Sequence, residues 1–487
     1  MSSSGSNKIL VLNNFVWRLA ERVGAKGVEF LVSIALARLL SPDDFGVIAL
    51  VTVFISILQV FVDSGLGNAL IQKKDADDID FSTVFYFNIV FCILLYVILF
   101  VCAPLIAHFY EKEILTPVIR TLGVTILISG VKNVQQAYVS KNMLFKRFFY
   151  ATLGGTIGAA FIGIALAYKG FGIWALVAQQ VFNVTVDTII LWITVKWRPK
   201  KLFSAHRLKS LYSFGWKLLA SQLIEITYND LRQLIIGKMY SASDLAFYNR
   251  AKQFPQFITA NINTSINSVL FPAMSSVQDE KERVKAMTRR AITISTYIMA
   301  PFLMGLVACA EPIVRIILTE KWMPIVPFMR IFCITHMFLP IHTANLNAVK
   351  AMGRSDLFLK LEIYKKVVGM VLLLSSMWFG VMAMAYSLLI GSVISQLINT
   401  RPNKYLLDYS YREQLRDILP GILLAVAMGL LVHCVETFIS NDYLCLAVQI
   451  VLGAGFYIVG SKLLKLESYD YVLKIIKSSR LHRKGEL

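Results

Sequence analysis

About fourteen stretches of roughly twenty or more apolar residues follow one another along this 487-residue chain, and that series constrains the fold more than any other feature. They run over 15–40, 45–71, 81–109, 115–139, 148–168, 173–195, 211–237, 245–271, 291–318, 325–349, 357–379, 381–398, 418–438 and 443–464. A soluble domain is about 45–50% apolar and ~25% charged; here 56% of residues are hydrophobic and 16% charged. A single core cannot absorb that excess, whereas a bilayer can. The expected fold is an all-α integral membrane protein of about fourteen transmembrane helices.

The breaks carry the orientation. Lysine and arginine concentrate in alternate breaks: Lys73 and Lys74, Lys141 with Lys146 and Arg147, 196–209, 281–290, 350–360, 401–416 and the tail. The other breaks hold isolated cations such as Arg38, Lys112, Lys169, Lys238 and Lys321. By the positive-inside rule both termini are expected to be cytoplasmic. The net charge of +19 would suit nucleic acid, but charges confined to short inter-span breaks argue for topology instead, and no nucleic-acid partner is expected. The tail, 467–487, places Lys474, Lys477, Arg480, Arg483 and Lys484 beside Val472, Ile475 and Ile476. It reads equally as an amphipathic helix on anionic lipid or as a basic end that enforces topology. The polar start, residues 1–8, predicts no removable signal peptide. Six cysteines lie in apolar segments without a CxxC pair, which predicts free thiols.

Three short matches repeat in order. Arg38–Phe45 aligns with Lys238–Leu245, Gln136–Phe145 with Asn347–Asp356, and Phe171–Leu176 with Phe379–Met384. The first pair contains Ser41-x-x-Asp44 and Ser241-x-x-Asp244, a helix N-cap signature in which side-chain oxygens accept from the orphan N–H groups of the next span. The repeats predict two six-helix halves in parallel orientation, with the substrate path at their interface and two spans outside the repeat. The expected division is 1–195, a basic linker 196–210, 211–405, the extra pair 406–464, and the tail 465–487.

A charge at mid-bilayer costs at least ~2.5–3.5 kcal/mol, yet several spans carry them. At ~100° per residue, Arg18, Arg22, Lys26 and Glu29 of the first span fall within about 80° of arc. Lys217, Ser221, Glu225, Asn229 and Arg232 of the seventh span share about 120°, with Asp230 off that face. The eighth span aligns Arg250, Gln253, Asn261, Thr264 and Asn267. The tenth gathers His336, Thr343, Asn347 and Lys350. Any one of these residues serves equally well as ion-pair glue or as a substrate contact. Four lined faces together favour a water-filled cavity with a cationic surplus, and arginine's fork suits phosphate. Asp63 and Asp187 are isolated carboxylates, candidate sites for a coupling cation or proton; each also reads as a capped polar residue near the interface.

The sequence has no P-loop, no HExxH and no His/Cys cluster, so neither a built-in ATPase nor a catalytic metal is expected, and no cofactor. Outside breaks are too short to build the site of a membrane glycosyltransferase, which disfavours an enzyme acting on lipid-linked sugars.

The second half opens Ser241-Ala-Ser-Asp244-Leu-Ala-Phe-Tyr248-Asn249-Arg250-Ala-Lys-Gln253-Phe-Pro255 and closes Leu270-Phe271-Pro272. This resembles the Y-N-R-A…P…F-P signature of the Wzx-like polysaccharide exporters, oligosaccharide-lipid flippases of the MOP superfamily. Ala37–Gly46 is similar to their A-R-x-L-x-P-x-x-F-G turn, and Asp63-x-Gly65-Leu66 to their D-x-G-L. The resemblance implies a two-lobed, V-shaped fold with a cationic central cavity in a bacterial inner membrane. It implies alternating-access transfer of an undecaprenyl-diphosphate-linked oligosaccharide to the outer leaflet. The anionic diphosphate head would meet Arg250, with a first-span arginine, Arg18 or Arg22, as a second contact; a sodium ion or proton is the candidate coupling ion. The related drug extruders, with twelve spans and carboxylate-centred sites, supply the alternative: a cation-coupled small-molecule exporter.

Overall fold

In the computed structural model, residues 24–63 and 65–474 are described, and within these the side chains of Phe214, Asn261, Thr264, Ser265, Asn267 and Ser268 are not. Arg18, Glu21 and Arg22, the Asn261 side chain and the tail beyond 474 therefore lie outside the described residues. The helices are α1 (24–39), α2 (Pro42–Asp63), α3 (Leu66–Gln72), α4 (Asp78–Phe109), α5 (Leu115–Lys141), α6 (Phe145–Tyr168), α7 (Ile173–Thr194), α8 (Ala205–Met239) and α9 (Ala242–Ser275). They continue as α10 (Lys281–Ala308), α11 (Ala310–Ile317), α12 (Ile325–His336), α13 (Leu339–Ala351), α14 (Ser355–Ser376), α15 (Val381–Leu406), α16 (Tyr411–Cys434), α17 (Asp442–Leu463) and α18 (467–474).

Among the described residues every apolar run falls on one helix or a broken pair, and ten helical segments are long and apolar enough to cross a bilayer. Of the rest, α8, α9 and α14 are long but too polar to meet the same measure, and α1 is described only in part. Among the described residues ten spans thus stand on length and composition; of the four assigned polar faces, those on α1, α8 and α9 fall outside that count and the one on α12 and α13 falls within it. Apolar side chains such as Val90, Leu94, Val101 and Leu105 of α4 are exposed, as a lipid-facing surface requires.

Two compact units form, 1–246 and 247–487. In the first, α5 packs against α4, α7 and α2, α6 against α7, and α8 against α2 and α4. Its core gathers Leu66, Leu70, Phe81, Phe85, Val134 and Trp197, with Phe81 and Trp197 ring centroids 5.7 Å apart. In the second, α15 packs against α12, α13 and α14, and α10 against α13 and α16, which carries α17. Its core joins Met274, Val284, Ile292, Ile341, Ala344 and Leu407.

The repeat is visible in the hydrogen bonds. Ser41 N–H donates to Asp44 Oδ2 at 3.1 Å, and Ser241 N–H to Asp244 Oδ2 at 3.1 Å. Both serine hydroxyls donate to the same oxygen at 2.6 Å, and both aspartate N–H groups return a bond to the hydroxyl. These are reciprocal N-caps on α2 and α9. Their first turns meet so closely that a Cβ on Gly46 would lie 1.8 Å from the Ala242 carbonyl oxygen. Gly172 and Gly380, with φ of 54° and 96°, cap α7 and α15 alike.

The middle match shifts by one residue. The α5–α6 turn pivots on Met143 (φ 53°) and the α13–α14 turn on Gly353 (φ 71°). Leu144 N–H bonds Val139 C=O and Arg354 N–H bonds Val349 C=O. Met143 therefore pairs with Gly353, where the sequence alignment paired it with Arg354. The left-handed backbone sets this register, and side-chain similarity does not report it.

Candidate functional site

The first unit carries its polar residues in two groups. On α1, Lys26 Nζ contacts Glu29 Oε2 at 2.6 Å, and both side chains are exposed. On α8, Lys217 is exposed with no hydrogen-bond acceptor among the described residues, and Asn229 donates to Glu225 Oε1 at 3.1 Å. Arg232, one turn on, is buried. Asp230 is off this face as expected: its Oδ2 accepts from Ser56 of α2 at 3.2 Å. The exposed stripe on α8 is therefore Lys217, Glu225 and Asn229, while Arg232 and Asp230 are packed.

The second group lies inside the unit. Asp63 Oδ1, at the end of α2, accepts from Gln59 Nε2 at 2.8 Å and from Asn133 Nδ2 of α5 at 3.2 Å. Asn133 Oδ1 in turn accepts from Asn88 of α4 at 3.4 Å. The neighbouring Lys132 Nζ pairs with Asp187 Oδ2 of α7 at 3.0 Å, both side chains largely buried. Asp187 Oδ1 is buried with no donor among the described residues. Asp63 opens on a cleft of about 280 Å³ whose walls include Asn68, Asn133, Gln136, Ser140 and Thr152. The two carboxylates thus sit on either side of neighbouring residues Lys132 and Asn133. Lys132 escaped the sequence analysis, although a lysine inside the fourth apolar run is the kind of misplaced charge that flags a site.

In the second unit, Arg250 is 5% exposed. Its Nη1 donates to Gln253 Oε1 at 2.8 Å and its guanidinium lies 5.4 Å from the ring centroid of the fully buried Trp322. Arginine on an indole face keeps its charge with little hydration. His336 Nδ1 bonds the buried Thr259 hydroxyl at 2.9 Å, tying α12 to α9. Asn347 is buried on α13.

A neutral amide network was also missed. Asn345 and Gln414 exchange bonds at 2.9 and 3.0 Å, Asn403 donates to Asn345 Oδ1 at 2.6 Å, and Thr400 joins them. Nearby, His342 bonds Ser392 and Asn399 at 3.2 Å each. Single neutral amides in helices carry no sequence signal. At the water-facing end of the first unit, the basic linker docks on the turn that opens α4. Arg207 contacts Asp77 at 2.5 Å, Lys200 contacts Asp78 at 2.5 Å, Lys73 contacts Asp80 at 2.6 Å, and Trp197 Nε1 donates to Asp78. The Arg207 hydrogen bond holds the Asp77 carboxyl at about 2, below its ordinary 3.8.

A family model described as "Polysaccharide biosynthesis protein" matches residues 35–327. Among curated relatives, the teichuronic acid biosynthesis protein TuaB of Bacillus subtilis is 26% identical over 437 residues, covering 88% of each chain. The lipopolysaccharide biosynthesis protein WzxC of Escherichia coli is 23% identical, covering 85% of this chain and 86% of its own. Among solved structures, the lipid II flippase MurJ in an inward closed conformation superposes with a TM-score of 0.75 at 12% identity, over 92% of this chain and 98% of its own. An inward-facing multidrug MATE transporter of the MOP superfamily gives 0.60 at 15% identity, over 78% and 94%. The chain is a multi-pass membrane protein, all-α among its described residues, that belongs to the polysaccharide biosynthesis protein family, among Wzx-like exporters, with the fold of MurJ and of MATE transporters.

Proposed function

We propose that this chain flips an undecaprenyl-diphosphate-linked oligosaccharide from the cytoplasmic to the outer leaflet of a bacterial inner membrane, for surface polysaccharide synthesis. The observation that carries the reading is the family match combined with a MurJ-like fold over nearly the whole chain. In this reading both termini are cytoplasmic, and transfer proceeds by alternating access through a cationic central cavity. Arg18, Arg22, Lys26, Lys217, Arg232 and Arg250 supply its positive charge, and Glu29, Glu225, Asn229, Gln253, Asn261, His336 and Asn347 its polar partners. The exposed face of α8 that carries Lys217, Glu225 and Asn229 supports that assignment, with Arg232 packed on the same helix. Arg250, desolvated and stacked on Trp322, would offer a strongly attracting fork to a diphosphate.

Coupling to a sodium or proton gradient belongs to the first unit in this reading. Asp63 opens on a polar cleft, and Asp187 keeps one buried oxygen without a donor among the described residues, an arrangement that suits a proton or small cation. The test is transfer of a lipid-linked sugar in proteoliposomes, with and without imposed ion gradients. Arg250→Ala is expected to lower transfer at least tenfold with the protein still folded; wild-type transfer by that variant would overturn the role of Arg250. A drug exporter would instead move small cations and leave the glycolipid in place.

A further inference from the structure

A second cavity, of about 280 Å³, opens within the second unit where the water-facing ends of α10 and α16 meet the α17–α18 corner. Arg289 and Tyr297 of α10, Arg416 and Asp417 of α16, and Lys465, Glu467 and Ser468 of the corner line it. Of its two acids, Asp417 is already occupied: its Oδ1 takes Arg289 at 2.7 Å and its Oδ2 accepts the Tyr409 hydroxyl at 2.7 Å, while Glu467 leaves the lining with three cations against two carboxylates. Arg416 and Lys465 have no acceptor among the described residues, so two cations face the cavity with their charge unspent.

The corner is built to hold them there. Lys465 takes a left-handed backbone (φ 50°), which turns the chain, and Leu466 N–H closes the turn on Ser461 C=O at 3.1 Å. The Arg290 guanidinium sits 4.6 Å from the Tyr471 ring centroid and pins α18 against α10. Below the cations the walls turn apolar with Ile418 and Pro420. Leu415, Leu419 and Leu423 continue down α16 as an exposed ridge at i, i+4 and i+8, and Leu463 and Leu464 are exposed beside Lys465.

We propose that this cavity binds the phosphate headgroup of an anionic glycerophospholipid, with the acyl chains lying against the exposed Leu463 and Leu464. Two unspent cations and a serine hydroxyl fit a phosphodiester. A basic pocket between membrane helices at headgroup depth is where such lipids are recognised. The exposed Leu463 and Leu464 beside the lining residue Lys465 favour a lipid over a free phosphate, which has no use for them. The site is separate from the cationic faces assigned to the transported substrate.

The test uses the full chain in detergent and reads its thermal midpoint. Dioleoylphosphatidylglycerol is expected to raise it by several degrees, while dioleoylphosphatidylcholine, inorganic phosphate and glycerol 3-phosphate do not. Arg416→Ala/Lys465→Ala is expected to lose more than half of that rise, and Lys74→Ala, at an exposed lysine of the first unit, to keep it. If the double variant does not fold, Arg416→Gln and Lys465→Gln singly carry the same comparison, each losing a measurable part. Equal stabilisation of variant and wild type by phosphatidylglycerol would overturn the site. A full rise with inorganic phosphate or glycerol 3-phosphate would overturn its assignment to a lipid.

Discussion

The two units solve the same packing problem with different chemistry. The Met143–Gly353 register sets Lys132 opposite His342 and Asn133 opposite Thr343. The Ser41–Ser241 caps set Asp63 opposite Asn263, and the Gly172–Gly380 caps set Asp187 opposite Ser395. In the first unit α5 is bridged to α7 by the Lys132–Asp187 ion pair, and α2 to α5 by Asp63 and Asn133. In the second, α13 is bridged to α15 by His342 with Ser392 and Asn399, one turn either side of Ser395. Likewise Thr343 donates to Asn263 Oδ1 at 2.5 Å. The α5–α7 and α2–α5 bridges each have a counterpart, but at these positions the carboxylates appear only in the first unit. The lesson is that a duplicated scaffold keeps its polar bridges for helix register, and one copy was free to keep charge. A bridge that needed only to hold helices would do so neutrally, as the second unit does, so the charged copy is where ion coupling is best sought.

The sharpest way to break this comparison is to strip one charge. Lys132→Met leaves Asp187 buried and unpaired, and is expected to cost about 3–5 kcal/mol, read by denaturant-induced unfolding in detergent. Lys132→Met/Asp187→Leu should recover most of that loss, because replacing both partners removes the stranded charge. His342→Leu, the matching change in the second unit, removes only neutral hydrogen bonds and is expected to cost about 1–3 kcal/mol. Equal losses at Lys132 and His342 would mean that the two bridges differ in name alone.

A third change converts one unit toward the other. Asp63→Asn copies Asn263 into the first unit and keeps an acceptor for Asn133. Stability is expected to change by less than about 1 kcal/mol, whereas the dependence of glycolipid transfer on an ion gradient should vanish. Gradient-driven transfer persisting in Asp63→Asn would remove Asp63 from coupling and leave Asp187 as the remaining carboxylate.

What the sequence made legible follows the range of the interactions. The caps at Ser41 and Ser241 and the glycine turns at Gly172 and Gly380 depend on three or four adjacent residues, so their motifs were readable and their geometry followed. Spans were readable because a bilayer demands continuous apolar runs. Long-range partners were not: Lys132 meets Asp187 and Asn345 meets Gln414 across helices joined by no local pattern. Arg250 was readable as an unusual charge in a motif, but its burial against Trp322 depends on a segment some seventy residues away. The turn register at Met143 was missed because a left-handed methionine looks like any other methionine in the sequence.

The smallest expected effect concerns the clamp of the first unit, whose long-range counterpart in the second unit is Arg289 with Asp417 at 2.7 Å, beside local pairs such as Arg354 with Asp356. Arg207 reaches across 130 positions of sequence to Asp77, and its guanidinium keeps that carboxyl ionised down to about 2. A carboxyl held below its unfolded value contributes stability that is fully present above about pH 4 and is lost as pH falls through the folded value. Wild-type protein should therefore lose thermal stability between pH 4 and 2 by a margin that Arg207→Gln, lacking the clamp, does not show, while at pH 7 the variant should unfold slightly earlier than wild type. Because both partners are substantially exposed, solvent and salt weaken the pair, so the difference should shrink as sodium chloride rises toward 1 M. A clamp whose contribution is unchanged by salt would be held by the packing of Trp197 on Asp78 rather than by charge.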